Sequence, residues 1–189
     1  MRSVVGVVSL QGDYAKHRET FARIHPAVDS IEVRTPEDLT QCDRLVLPGG
    51  ESTTVGKLMQ RFGLGEAILE KAQAGMPIWG TCMGMILMAS RIEGHEQYTL
   101  DLLDISVRRN AFGSQIHSFE DSVVMPTLDS EVLGVFIRAP IVTEIGPDVQ
   151  ILGEYENQIV AVRQGNRLGT SFHPELTDDL TLHEWFLTF

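Results

Sequence analysis

Five residues, Gly80-Thr81-Cys82-Met83-Gly84, stand between the apolar run Met76-Pro77-Ile78-Trp79 and a helix-like run over 85–90. Few architectures house strand, tight turn and helix in that order. The simplest places the turn at the carboxyl edge of a parallel sheet, where open α/β folds build their sites. Glycines on both sides let the backbone turn sharply and let strand and helix approach closely. The pattern matches a nucleophile elbow, G-x-S-x-G, with sulfur in place of hydroxyl. The helix that follows aims its free N–H groups at the sulfur, which favours negative charge developing there. A cysteine at such a turn is either an inert buried hydrophobe or a nucleophile, and the elbow alone does not decide.

The rest of the chain agrees with that fold. Strands over 4–10, 31–34, 45–47 and 76–79 alternate with helical stretches over 14–24, 55–61 and 65–74. Such alternation predicts α/β architecture: three layers, a mostly parallel central sheet with helices on both faces. The second half is strand-rich, with strands over 105–109, 122–125, 132–137, 149–155, 159–164 and 167–172. Gln164-Gly165-Asn166-Arg167 reads as a hairpin turn, and a closing helix over 180–187 buries Leu182, Trp185 and Phe186. At 189 residues with no linker, repeat or low-complexity stretch, the chain reads as one domain, 1–189. A domain of that size buries roughly 70% of its unfolded surface.

Composition mainly excludes. A net charge of −11 argues against nucleic acid as a partner. No stretch approaches the ~20 apolar residues of a membrane span. The run over 4–10 reads as a buried first strand and not a signal peptide. Two cysteines, Cys42 and Cys82, are too few for a disulfide scaffold and lack zinc-like spacing, so no metal or cofactor is expected. Cys42 reads as structural, and a reducing cytoplasm is implied. The histidines His17, His25, His95, His117 and His183 lack paired spacing and read as surface or packing residues.

Two further motifs decide for the nucleophile. The strand over 167–172 runs straight into His173-Pro174-Glu175. A cysteine nucleophile needs a base, and the base needs a third group to fix its tautomer. Proline stiffens the turn, so His173 and Glu175 leave it in a defined relation. The reading is a Cys82-His173-Glu175 triad. Upstream, the strand over 45–47 ends in Pro48-Gly49-Gly50-Glu51-Ser52-Thr53-Thr54, where Ser and Thr offer caps for a helix from about residue 55. Adjacent glycines suit an oxyanion hole. A phosphate loop is excluded by spacing: the glycine it needs falls at Glu51, and Leu58 follows Lys57 where Ser or Thr would hold magnesium.

With these residues in place, the chain resembles the class I (triad) glutamine amidotransferases, a flavodoxin-like fold. Leu10-Gln11-Gly12, the Gly49-Gly50-Glu51-Ser52-Thr53-Thr54 loop, Arg109-Asn110-Ala111-Phe112-Gly113, Phe136-Ile137-Arg138-Ala139-Pro140 and Phe172-His173-Pro174-Glu175-Leu176-Thr177 are similar to the vitamin B6 branch, the glutaminase subunits of pyridoxal 5′-phosphate synthase. The resemblance implies that Cys82 attacks the side-chain amide of L-glutamine to give a glutamyl thioester and ammonia. It implies an oxyanion hole at Gly50 and the Met83 N–H. It implies glutamine binding by Gly49, Gly50, Glu51, Arg109, Ile137 and Arg138. Gln11 is a candidate for the site or for a partner contact. The implied partner is a separate (β/α)₈-barrel synthase subunit that uses a pentose phosphate and a triose phosphate. One departure is Ser114, where that branch commonly has arginine. The alternatives are a glutaminase subunit for another synthase, such as that of histidine synthesis, a thiol hydrolase on the same sheet, and a catalytically silent interaction subunit.

Overall fold

The computed structural model describes residues 3–24, 28–112 and 118–189. Gly113, Ser114, His25 and His117 lie outside the described residues. The chain begins β1 (Val4–Val8), α1 (Tyr14–Ile24), β2 (Asp29–Val33), α2 (Pro36–Leu39), β3 (Arg44–Leu47), α3 (Ser52–Arg61), α4 (Leu64–Gln73), β4 (Ile78–Thr81) and α5 (Met83–Met88). It continues β5 (Ala89–Ile92), β6 (Leu103–Arg108), β7 (Ser118–Met125), β8 (Ser130–Ile137), β9 (Ile141–Ile145), β10 (Gln150–Tyr155), β11 (Gln158–Gln164), β12 (Arg167–Thr170) and α6 (Thr181–Phe186).

Ten strands form one sheet in the order β2-β1-β3-β4-β12-β11-β9-β6-β5, with β10 paired to β11. The block from β2 to β12 is parallel throughout. Antiparallel pairing begins at β11, which returns to β12 across a two-residue turn in which Gly165 takes a φ of 58°. The placement of β12 matters most. It lies parallel to β4 with Thr170 opposite Thr81, so both strands end at the same sheet edge. Cys82 and His173, 91 positions apart in the chain, therefore emerge side by side.

Side-chain alternation divides the core between two faces. Val8, Leu45, Leu47 and Ile78 point to the face covered by α3, α4 and α5, where Val55, Met59, Leu64, Ile68 and Met85 pack. Val5, Val7, Val46, Trp79 and Leu168 point to the other, beneath Phe21 of α1 and Leu182 and Phe186 of α6. Of the three residues expected inside the closing helix, Leu182 and Phe186 are fully buried, whereas Trp185 is only partly covered. Cys42 is buried and packs in the core, where burial pushes its thiol up to about 11.

Three local expectations are corrected. The helix after the elbow covers Met83–Met88, and the chain at Ala89 (ψ 150°) turns directly into β5. That strand and β9 (Ile141–Ile145) are not among the strands expected from the sequence. The strands β7 and β8 form a separate two-stranded sheet, joined to the chain beyond β12 by a bridge from Val135 to His173. Their alternation looks like that of any other strand. What sets them apart is an aromatic cluster in which Phe119 stacks on Phe136 at 4.7 Å beside Phe112 and Tyr155. Among the described residues, no helix is long and apolar enough to cross a membrane.

Candidate active site

The elbow is built by backbone contact. Cys82 adopts φ 50°, ψ −106°, a conformation that costs a non-glycine residue on the order of 1–3 kcal/mol. Its surroundings hold it there. Cys82 N donates to Thr170 O at 2.7 Å, tying the tip of the turn to β12. A Cβ on Gly84 would lie 1.9 Å from Leu47 O, and one on Gly80 would lie 2.4 Å from Gly84 C. Both glycines are thus required by close approach of backbone to backbone. The sulfur rests 3.8 Å from Ile137 O.

His173 leaves the end of β12 pinned to the hairpin: its N–H donates to Val135 O at 2.8 Å, and Val135 N–H returns a bond of 3.3 Å to His173 O. Pro174 opens a single 3₁₀ turn, Pro174–Leu176, which carries Glu175 back beneath the ring. His173 Nδ1 lies 2.8 Å from Glu175 Oε1. Burial opposes charge on His173, but hydrogen bonding to the Cys82 sulfur and to Glu175 outweighs it and raises the pKa to about 10. Burial likewise opposes charge on Glu175, yet His17 and then His173 hold its carboxyl below the usual range. A Cβ on Gly49 would lie 2.2 Å from His173 Cε1, so the glycine loop forms the wall against the ring.

These groups open on a cavity of about 340 Å³ lined by Gln11, Gly49, Gly50, Glu51, Cys82, Ile137, Arg138 and His173, with Gly12 and Asp13. Of the residues singled out in the sequence, Met83, Arg109 and Glu175 stand outside this lining. Met83 is the first residue of α5, a position whose N–H has no intrahelical acceptor. Arg109 reaches the rim through Glu51, Nη2 to Oε1 at 3.6 Å. Gln11 lies three residues beyond β1, and its Oε1 accepts from Glu51 N at 2.7 Å.

Glu51 itself corrects the expected capping. It, and not a serine or threonine, caps α3, which begins at Ser52. Its carboxylate accepts from Thr53 N at 3.2 Å, Thr54 N at 2.8 Å and Thr54 Oγ1 at 2.7 Å. Partial burial works against its charge, but the Thr54 and Thr53 donors bring the pKa down to about 2. Arg138, exposed, holds a φ of 45° as it turns into the cavity wall.

Three residues at the site were not legible in the sequence. Gln97 Oε1 gathers Ser52 Oγ at 3.0 Å, Thr53 Oγ1 at 3.2 Å and Arg109 Nη1 at 3.5 Å, linking α3 to the arginine. His17 and His183 are fully buried, which selects packing from the surface-or-packing reading of their sequence positions, and His17 lies against Glu175. No spacing in the chain announces any of the three.

A family profile described as the SNO glutamine amidotransferase family matches residues 7–189. The pyridoxal 5′-phosphate synthase subunit PdxT of Desulforudis audaxviator is 49% identical over 188 residues, 98% of this chain and 97% of the relative. The protein of the same name from Carboxydothermus hydrogenoformans is 46% identical over 184 residues, 97% of this chain and 95% of the relative. A solved crystal structure of a glutamine amidotransferase superposes with a TM-score of 0.93 at 42% identity, covering 98% of each chain. PurLQS from Thermotoga maritima superposes at a TM-score of 0.75 with 16% identity, over 100% of this chain and 99% of that one. That likeness bears on the fold alone.

Proposed function

Because this chain belongs to the SNO glutamine amidotransferase family, we propose that it is the glutaminase subunit of a pyridoxal 5′-phosphate synthase, with residues 1–189 acting as one amidotransferase domain. The observation that carries this reading is the His173 ring, bonded to Glu175 at 2.8 Å and lining the same glutamine-sized cavity as Cys82.

With its proton held on His173, the Cys82 sulfur attacks the side-chain carbonyl carbon of L-glutamine. The carbonyl electrons move to oxygen, where the backbone at Gly50 and the Met83 N–H form the oxyanion hole. As the C–N bond breaks, His173 passes its proton to the departing nitrogen, leaving a glutamyl thioester and ammonia. His173 then takes a proton from water, which attacks the thioester and releases glutamate and the thiol. Glu175 keeps the ring in one tautomer throughout.

Glutamine carries a cation and an anion on its Cα. Glu51 complements the ammonium, Arg109 and Arg138 the carboxylate, and Gly49, Gly50 and Ile137 shape the space between. Gln11 sets the loop that presents Glu51 and lies where the cavity meets solvent. Ammonia would pass to a (β/α)₈-barrel synthase subunit, which would carry out the ring-building chemistry.

Ammonia release from L-glutamine, measured with and without a pyridoxal 5′-phosphate synthase subunit, tests the reading. Release that rises with the synthase and vanishes in Cys82→Ala is expected. Release indifferent to the synthase would move the acceptor elsewhere, and no release in either condition would overturn the glutaminase.

A further inference from the structure

Behind Glu175 the fold closes on two more imidazoles. His17, from α1, and His183, from α6, are both 0% exposed. His17 Nε2 lies 3.1 Å from Thr81 Oγ1 and 3.4 Å from Glu175 Oε2. Its Nδ1 lies 3.0 Å from His183 Nε2. Trp79 and Phe21 wall the pair with edge-on contacts, Trp79 against both rings and Phe21 against His183.

The carboxylate fixes the tautomers. Oε1 of Glu175 is taken by His173, whereas Oε2 is buried and has no hydrogen-bond partner among the described residues. A bare nitrogen lone pair 3.4 Å from that oxygen would set two acceptors face to face in a low-dielectric interior. The proton of His17 therefore sits on Nε2, bonded to Thr81 Oγ1 and facing Oε2. The longer contact is electrostatic more than a well-formed hydrogen bond. His17 Nδ1 is then an acceptor, and only an N–H on His183 Nε2 satisfies it. His183 Nδ1 is left as a lone pair, and it is the ring nitrogen that lacks a partner among the described residues. The reverse assignment would bury an orphaned N–H there and aim a lone pair at the carboxylate. Both rings must be neutral for this, and burial lowers the pKa of each.

We propose that His17, its proton fixed on Nε2 by His183, is a positioning residue that holds the Glu175 carboxylate in line with His173. The inference rests on the triad reading above. Without it, the carboxylate on its single 3₁₀ turn would keep His173 on Oε1 and lose the imidazole that faces Oε2. The two histidines thus extend the proton-holding line from the cavity floor through the sheet edge to the C-terminal helix.

Two measurements on the full chain test it. In ammonia release with the synthase subunit present, His17→Leu is expected to lower kcat roughly 10–100-fold, the usual worth of a partner behind a reacting group, with KM for glutamine within about twofold. His17→Gln, whose amide N–H reaches the Nε2 position, is expected to recover most of that loss although it packs no better. A Leu variant with full kcat, or a Gln variant as slow as the Leu variant at equal melting temperature, overturns the proposal. Independently, ¹⁵N imidazole spectra of the wild-type chain should show His17 and His183 as neutral Nε2–H tautomers at neutral pH. A proton on His17 Nδ1 overturns it whatever the activity. Loss of ammonia release from wild type itself would instead count against the triad, and the spectra would still decide the tautomer.

Discussion

The floor and the rim of the cavity are built by opposite rules. On the floor Cys82, His173 and Glu175 are 8%, 6% and 3% exposed, with Cys82 bonded to the backbone of β12 and His173 to that of β8. On the rim Glu51 and Arg109 leave 48% and 31% of their side chains in solvent. Proton transfer needs fixed distances and a low dielectric, so its residues hang from the sheet. Recognition of a soluble zwitterion needs charges that the substrate can reach and leave. The rim is still not loose: Glu51 is held by the amides of the helix it caps, so its aim is set by backbone even where its surface is open.

Removing the proposed nucleophile on the floor should have the largest effect. Cys82→Ala is expected to cut ammonia release by more than about 10⁴-fold, as loss of a triad nucleophile does elsewhere, with an unchanged melting temperature as the control. Gly84→Ala attacks the same floor without touching a reacting group. Its Cβ would meet Leu47 O at 1.9 Å, and backbone on backbone cannot give way cheaply. A loss of at least about 3 kcal/mol in urea unfolding is expected. A variant of normal stability would mean that the elbow does not require the close approach described.

At the rim, Glu51→Gln keeps shape and removes charge. A charged hydrogen bond is worth about 1.5–3 kcal/mol, so KM for glutamine is expected to rise roughly 10–100-fold while kcat stays within a fewfold. A fall in kcat with KM unchanged would erase the distinction between floor and rim, because Glu51 would then act in the transition state. The cap, weakened because a neutral amide oxygen replaces a carboxylate, should also cost stability, by less than about 1 kcal/mol.

The same division explains what could be read from the chain. The elbow and His173-Pro174-Glu175 are local motifs in which a few consecutive residues fix both backbone and chemistry, so the floor was legible. The parallel block was legible because each strand alternates with a helix. Gln97, His17 and His183 act only through neighbours brought by other elements. Gln97 sits in an irregular segment that meets the start of α3, and the two histidines ride on different helices 166 positions apart. Single polar residues on amphipathic helices carry no periodic signal, and their partners exist only once the sheet has formed. The cap at Glu51 was misread for a related reason. Serine and threonine are the commoner caps, but here the Ser52 and Thr53 hydroxyls are drawn away to Gln97 and that of Thr54 to Glu51.

Acidity offers the finest test, because floor and rim should fail at opposite ends of the pH scale. His173 is raised from 6.5 to about 10, so its stabilisation is full below pH 6.5 and fades as pH rises through 10. Glu51 is lowered from 4.5 to about 2, so its stabilisation is full above pH 4.5 and fades as pH falls through 2. Urea midpoints of wild type, His173→Gln and Glu51→Gln across that range separate the two. The gap between wild type and His173→Gln should narrow by on the order of 1–3 kcal/mol between pH 6.5 and 10. The gap to Glu51→Gln should narrow only below pH 4.5, and by less than about 1 kcal/mol, because solvent screens a half-exposed carboxylate. Gaps that stay flat, or that narrow at the same end, would show that burial does not divide the site in the way the geometry implies.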